Sequence, residues 1–118
     1  MQKNISIRRS AQKLAKAGQL NKAISAYEPL LASGSADPYD HLYVGDLYIK
    51  LQQKSEAIKQ YEAAIDEYYK LGFHRNGVAL CRKILRLDNS RIAVIKRLGD
   101  LYAEEELLGD ALSHMPRS

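Results

Sequence analysis

Cysteine and tryptophan are almost missing from this chain: there is one of the first, Cys81, and none of the second. A lone thiol cannot close an internal disulfide, which excludes a disulfide-stapled secreted scaffold and makes a reducing, cytoplasmic setting the expectation. Proline (three) and glycine (seven) are few, so helix breakers are rare, and apolar residues are not depleted as they are in disordered chains. Val, Thr and Phe are scarce, which argues against a strand-rich fold. No apolar run approaches the roughly 18 residues of a membrane span, so no membrane insertion is expected. The opening MQKNISIRRS carries charge with no apolar run behind it, so it reads as no signal peptide, and the sequon Asn4-Ile5-Ser6 reads as chance.

What remains is helix-forming material: Ala, Leu, Ile, Lys, Glu and Gln dominate. The fold class expected is all-α. A length of 118 residues suits one ordinary domain, 1–118. The net charge of +4 conceals blocks. Residues 1–27 contain Lys3, Arg8, Arg9, Lys13, Lys16 and Lys22 without an acid. Residues 74–97 hold seven Lys/Arg against Asp88, and 100–110 hold five acids. Blocks along a stacked helical chain become bands on its surface.

The chain repeats itself at two offsets. At 34, GQLNKAISAYE (18–28) lies on QQKSEAIKQYE (52–62), matching Gln19, Ala23, Ile24, Tyr27 and Glu28 with Gln53, Ala57, Ile58, Tyr61 and Glu62. At 54, GDLYIKLQQKSEAI from Gly45 resembles GDLYAEEELLGDAL from Gly99. The period of 34 is that of the tetratricopeptide repeat, and the chain resembles that family over essentially its full length. Its first-helix signature appears as Val44-Gly45 with Tyr48 and as Leu98-Gly99 with Tyr102. Its second-helix signature appears as Ala57, Tyr61 and Ala64, and as Ala111. The first repeat is worn, with Ser10-Ala11 and Leu14 in place of that signature but Gly18, Ala23, Tyr27 and Leu30 retained.

Packing roles follow from residue type. Gly45 and Gly99 are expected to admit a close helix, with Ala57 and Ala111 doing the same from the facing side. Tyr27, Tyr48, Tyr61 and Tyr102 are expected to fill the gaps between helices, leaving Tyr39, Tyr43 and Tyr69 for the surface. Asp37 before Pro38 reads as an N-cap, and Asp88-Asn89-Ser90 as the cap of the next helix.

The offset of 54 is explained by a shared helix. Between the two GDLY copies, Gly72 makes a turn and Gly77, Cys81 and Ile84 mark a second-type helix. No breaker lies between Ser55 and Leu71, so one helix of about 17 residues, roughly 25 Å long, serves two units. Seven helices are expected, at 4–17, 20–33, 38–51, 54–71, 74–87, 90–104 and 107–114. The repeats fall at 4–37, 38–71, 58–90 (sharing a helix) and 91–118. The resemblance implies a right-handed superhelical α-solenoid of antiparallel helix pairs. Its last repeat is truncated, as in a fragment of a longer protein of bacterial style. Leu107, Leu108 and Leu112 at that uncapped end are expected to drive self-association as a homodimer.

Nothing here has the spacing of a catalytic or cofactor site. His41, His74 and His114 lack metal-ligand spacing, and His41 and Cys81 read as packing residues. No phosphate loop or nucleophile elbow occurs, so no enzyme activity, cofactor or metal is expected.

Family resemblance implies that first helices line a concave groove for a partner peptide. Here the groove positions are Arg8, Gln12, Lys16, Leu42, Asp46, Ile49 and Lys50, joined by Asp66, Tyr69, Lys96 and Asp100. Asp46 and Asp100 are also readable as surface carboxylates paired to nearby lysines. The carboxylate clamp of the chaperone-binding subfamily is not matched, since its positions read Arg8, Gln12, Tyr43, Lys59 and Ala63. A noncatalytic scaffold for protein–protein interaction is therefore the leading expectation. Nucleic-acid binding through two basic bands (Arg9, Lys13, Lys16; Arg75, Arg82, Arg86, Arg91, Lys96) is the alternative, and a chaperone role in secretion or pilus assembly is another.

Overall fold

Backbone is described for residues 2–113, and side chains for 3–106, in a computed structural model. Six α-helices occupy the described residues: α1 (Gln2–Lys16), α2 (Leu20–Ala32), α3 (Pro38–Lys50), α4 (Lys54–Leu71), α5 (His74–Leu87) and α6 (Ile92–Ser113). There is no strand among them. The chain divides into two compact units, Met1–Ala64 and Ile65–Ser118.

In the first unit α1 and α2 pack as a helical hairpin and α3 packs on α2. Ala11, Ala23, Ile24, Tyr27, Leu30, Val44 and Leu47 are buried at its centre. Each large apolar side chain removed from water there contributes about 1.5–3 kcal/mol. Gly45 does what was expected of it: a Cβ at this position would sit 2.5 Å from Tyr61 Cε1, so the ring of α4 closes directly on the α3 backbone. Asp37 caps α3 as expected, with Pro38 next and Asp40 completing a reciprocal capping box.

The unbroken helix foreseen between Ser55 and Leu71 is present as α4. Residues 54–64 belong to the first unit and 65–71 to the second. In the second unit α5 and α6 pack together. Gly77, Val78, Leu80, Cys81 and Ile84 form the buried face of α5, and Leu101 lies against Gly77, 3.1 Å from a would-be Cβ.

Turns explain both the repeat and its failure. Gly18 (φ 81°), Gln52 (φ 60°) and Gly72 (φ 78°) each end a helix in the left-handed region. At each, the next amide reaches back five residues: Gln19 to Leu14, Gln53 to Tyr48 and Phe73 to Tyr68, all at 2.9 Å. This is one helix stop used three times. The repeat places another at Glu106, and it does not form. Glu104-Glu105-Glu106-Leu107-Leu108 is all strong helix former, and nothing in it relieves the left-handed conformation that Gln52 accepts.

The helices expected at 90–104 and 107–114 are consequently one helix, α6, and the described residues hold six helices where seven were expected. Two further expectations fall with that turn. A Cβ on Gly99 would meet nothing within 4 Å, and Tyr102 is 38% exposed, because among the described residues α6 runs on without turning back over them. The residue that would occupy the place of Tyr61 is Met115, outside the described residues. The Asp88-Asn89-Ser90 segment also acts differently. Asp88 Oδ1 accepts from Ser90 N (3.0 Å) and Oγ (2.6 Å), holding the turn itself, and α6 begins later than expected, at Ile92.

Candidate partner-binding site

The most developed surface of the first unit lies along α1 and α3. Arg8 Nε and Nη2 donate to Asp40 Oδ1 and Oδ2, both at 2.8 Å. Asp40 Oδ2 also accepts from Asp37 N at 3.0 Å, and Asp37 Oδ2 lies 3.6 Å from Arg8 Nη2. Asp40 is only 2% exposed. Burial pushes its carboxyl up, but the Arg8 bonds, the Asp37 amide and the neighbouring positive charge prevail and hold it below its ordinary value. The same pairing raises Arg8, against the cost of its desolvation.

Around this pair opens a hollow of about 500 Å³, walled by Arg8, Gln12, Leu42 and Asp46 together with Tyr27, Tyr39 and Tyr43. Tyr27 and Tyr43 meet with ring centroids 5.5 Å apart. Burial pushes the Tyr27 phenol up to about 12, with Asp40 adding to the effect, so it stays a neutral hydroxyl. A second hollow of about 270 Å³ is lined by Ala15, Lys16, Tyr43, Asp46, Leu47 and Lys50. Tyr43 and Asp46 are common to both. Asp46 accepts a short hydrogen bond from the buried Tyr61 hydroxyl, which, after burial, is what raises that phenol. Of the groove positions read from the sequence, Arg8, Gln12, Lys16, Leu42, Asp46 and Lys50 thus border these two hollows. Ile49 is half-buried and lines neither.

The second unit groups its residues otherwise. Arg97 pairs with Asp66 and lies over the Tyr69 ring, 5.1 Å from its centroid. Tyr69 donates to Glu104 Oε1 at 3.3 Å, and its ring lies 5.7 Å from that of His74. Asp66 and Tyr69 are therefore joined through Arg97. Lys96 and Asp100 are exposed on α6 and not part of that cluster. Arg82, assigned to a basic band, donates to the Tyr102 hydroxyl and stacks 5.7 Å from its ring centre.

Two residues central to these arrangements, Asp40 and Arg97, escaped the sequence reading. Asp40 was findable from its place three residues after the Asp37 cap. Arg97 carried no signal, because its value depends on α4 lying beside α6. The side chains of Leu107, Leu108 and Leu112, and all of His114, lie outside the described residues.

His41 Nδ1 lies 3.0 Å from Gln60 Oε1, a side-chain pairing within the first unit. Cys81 is fully buried, and burial pushes its thiol up to about 11 despite the nearby Arg97 charge. Among the described residues no group of three His, Cys, Asp or Glu could hold a metal ion, and no helix is long and apolar enough to cross a membrane. No protein-family model matches the chain, and no curated protein matches it.

Proposed function

We propose that the chain is a noncatalytic protein-interaction scaffold of tetratricopeptide type, a right-handed α-solenoid that takes a segment of a partner protein along α1 and α3. The observation that carries this reading is the convergence of Arg8, Gln12, Leu42, Asp46, Lys16 and Lys50 on two hollows sharing one wall. The family resemblance marks those positions independently of where the hollows lie.

The surface suits a peptide. Tyr39, Leu42 and Tyr43 offer apolar contact, Asp37 and Asp46 accept donors, and Lys16 and Lys50 bring positive charge to the second hollow. Locking Arg8 onto Asp40 fixes the wall before the partner arrives, so little ordering cost falls on the scaffold.

The test uses side chains whose loss leaves the core intact. Lys16, Lys50 and Tyr39 are exposed, so Lys16→Glu, Lys50→Glu and Tyr39→Ala combined should leave thermal melting unchanged. Affinity capture followed by mass spectrometry should lose the proteins that the parent chain retains. Retention of the same proteins by the triple variant would reject the surface. Salt titration distinguishes nucleic acid, whose binding to the basic bands would weaken log-linearly and steeply with salt.

A further inference from the structure

α6 is apolar on two opposite faces. Val94, Leu98 and Leu101 point into the second unit, where Val94 and Leu101 are buried. On the other side, Ile92 (79% exposed), Ile95 (49%), Gly99, Tyr102 (38%) and Ala103 form a stripe at helical spacing. The equivalent positions of α3, at the offset of 54, are Pro38, His41, Gly45, Tyr48 and Ile49. None of those five is exposed, and Gly45 is filled by Tyr61. The same pattern is thus a packing surface in one copy, while in the other Ile92, Ile95 and Ala103 are exposed and Tyr102 is met by Arg82 of α5. A helix with apolar residues on both faces is ordinarily covered on both.

We infer that the Ile92–Ala103 face of α6 is a homodimer interface on which a second copy of this chain lays its own α6 antiparallel. Two features select that occupant. First, the face is self-complementary: the open notch at Gly99 and the Tyr102 knob lie one turn apart on it. A two-fold axis between them seats each knob in the other's notch, as an isologous contact requires. Second, charge runs in order along the helix. On the exposed side Lys96 comes early and Glu106 late, while Arg97 and Glu104 are engaged with Asp66 and Tyr69 inside the second unit. Antiparallel pairing about that axis brings Lys96 of one copy near Glu106 of the other, both exposed on α6. Parallel pairing would set like charges side by side. The interface is independent of the α1–α3 surface.

Gly99 supplies a discriminating variant. A side chain there meets nothing within 4 Å in a single copy, and leaving glycine improves helix propensity. Gly99→Lys should therefore melt no lower than the parent while filling the notch. Sedimentation equilibrium of the full chain should show a reversible dimer, weakened at least about tenfold in Gly99→Lys. Direction is read by cross-linking under mild oxidation. A mixture of Ile95→Cys and Glu106→Cys chains should form a disulfide heterodimer, and Ile95→Cys alone should not link to itself. A parent chain monomeric at every concentration overturns the inference. So does a Gly99→Lys dimer as tight as the parent's, which would shift attention to the leucines at 107, 108 and 112. Self-linking of Ile95→Cys would show a parallel pair and overturns it too.

Discussion

Arg8 and Asp40, separated by more than a full helical hairpin in sequence, meet in a two-pronged ion pair with both bonds at 2.8 Å. The acid is buried and the base about one-third exposed, with side-chain exposures of 3% and 31%. Removing the base would leave a buried carboxylate unpaired. Arg8→Ala should cost about 2–3 kcal/mol in urea denaturation, at or just below the lower limit for fully buried pairs because Arg8 reaches solvent. A double-mutant cycle with Asp40→Asn should show strong coupling.

The same pair sets a pH dependence. Asp40 is held below its ordinary value in the folded chain, so the folded state takes up its proton less readily than the unfolded state. Its stabilisation is complete above the unfolded value of about 3.9 and fades as pH falls through the folded one. Melting temperature should drop on acidification below about pH 4, with a shallower drop in Asp40→Asn.

Gly45 and Gly99, each the first residue of a Gly-Asp-Leu-Tyr segment, should respond oppositely to alanine. At Gly45 the new methyl collides with the Tyr61 ring, which is fully buried and tied to Asp46. A loss of about 2–3 kcal/mol is expected from overpacking. At Gly99 the methyl meets open space, and a gain of up to about 1 kcal/mol is expected from helix propensity. Chemical denaturation of both variants reads the difference.

Gln52 ends α3 at φ 60°, in the place filled by glycine at positions 18 and 72. Gln52→Gly relieves a left-handed side chain and should stabilise by about 1 kcal/mol, measured by the shift in urea midpoint.

Cys81 has no exposed surface and a thiol pushed up to about 11. Labelling by an aromatic disulfide at pH 8 should be slow in the native chain and rise with urea in step with unfolding, since thiolate is the reacting form. Rapid labelling of the folded chain would show an opening of the second unit that its packing does not provide.

The local parts of this fold were open to reading. Helix-forming composition, the Asp37-Pro38 start, the glycine turns and the close helix approach at Gly45 all rest on residues near one another or on a repeated register. What failed depended on distance or on a missing neighbour. The GDLY copy at Gly99 looks like its twin, yet a glycine is a contact only if something arrives to fill it. The turn expected at Glu106 demanded a conformation that a run of helix formers resists. Arg8 could be placed in a groove by register, while its partner Asp40 lies too far along the chain for any pattern to announce. The Asp66–Arg97 pair was hidden for the same reason.

Asp40 also holds the first turn of α3, accepting from the Asp37 amide with the oxygen that receives Arg8 Nη2. Helix beginnings usually breathe on their own, opening and closing without troubling the rest of a molecule. Here that freedom is withdrawn: letting the start of α3 go means letting α1 go with it. Solvent deuterium should therefore reach those amides on the slow clock of the whole first unit, not on the fast clock of a loose end.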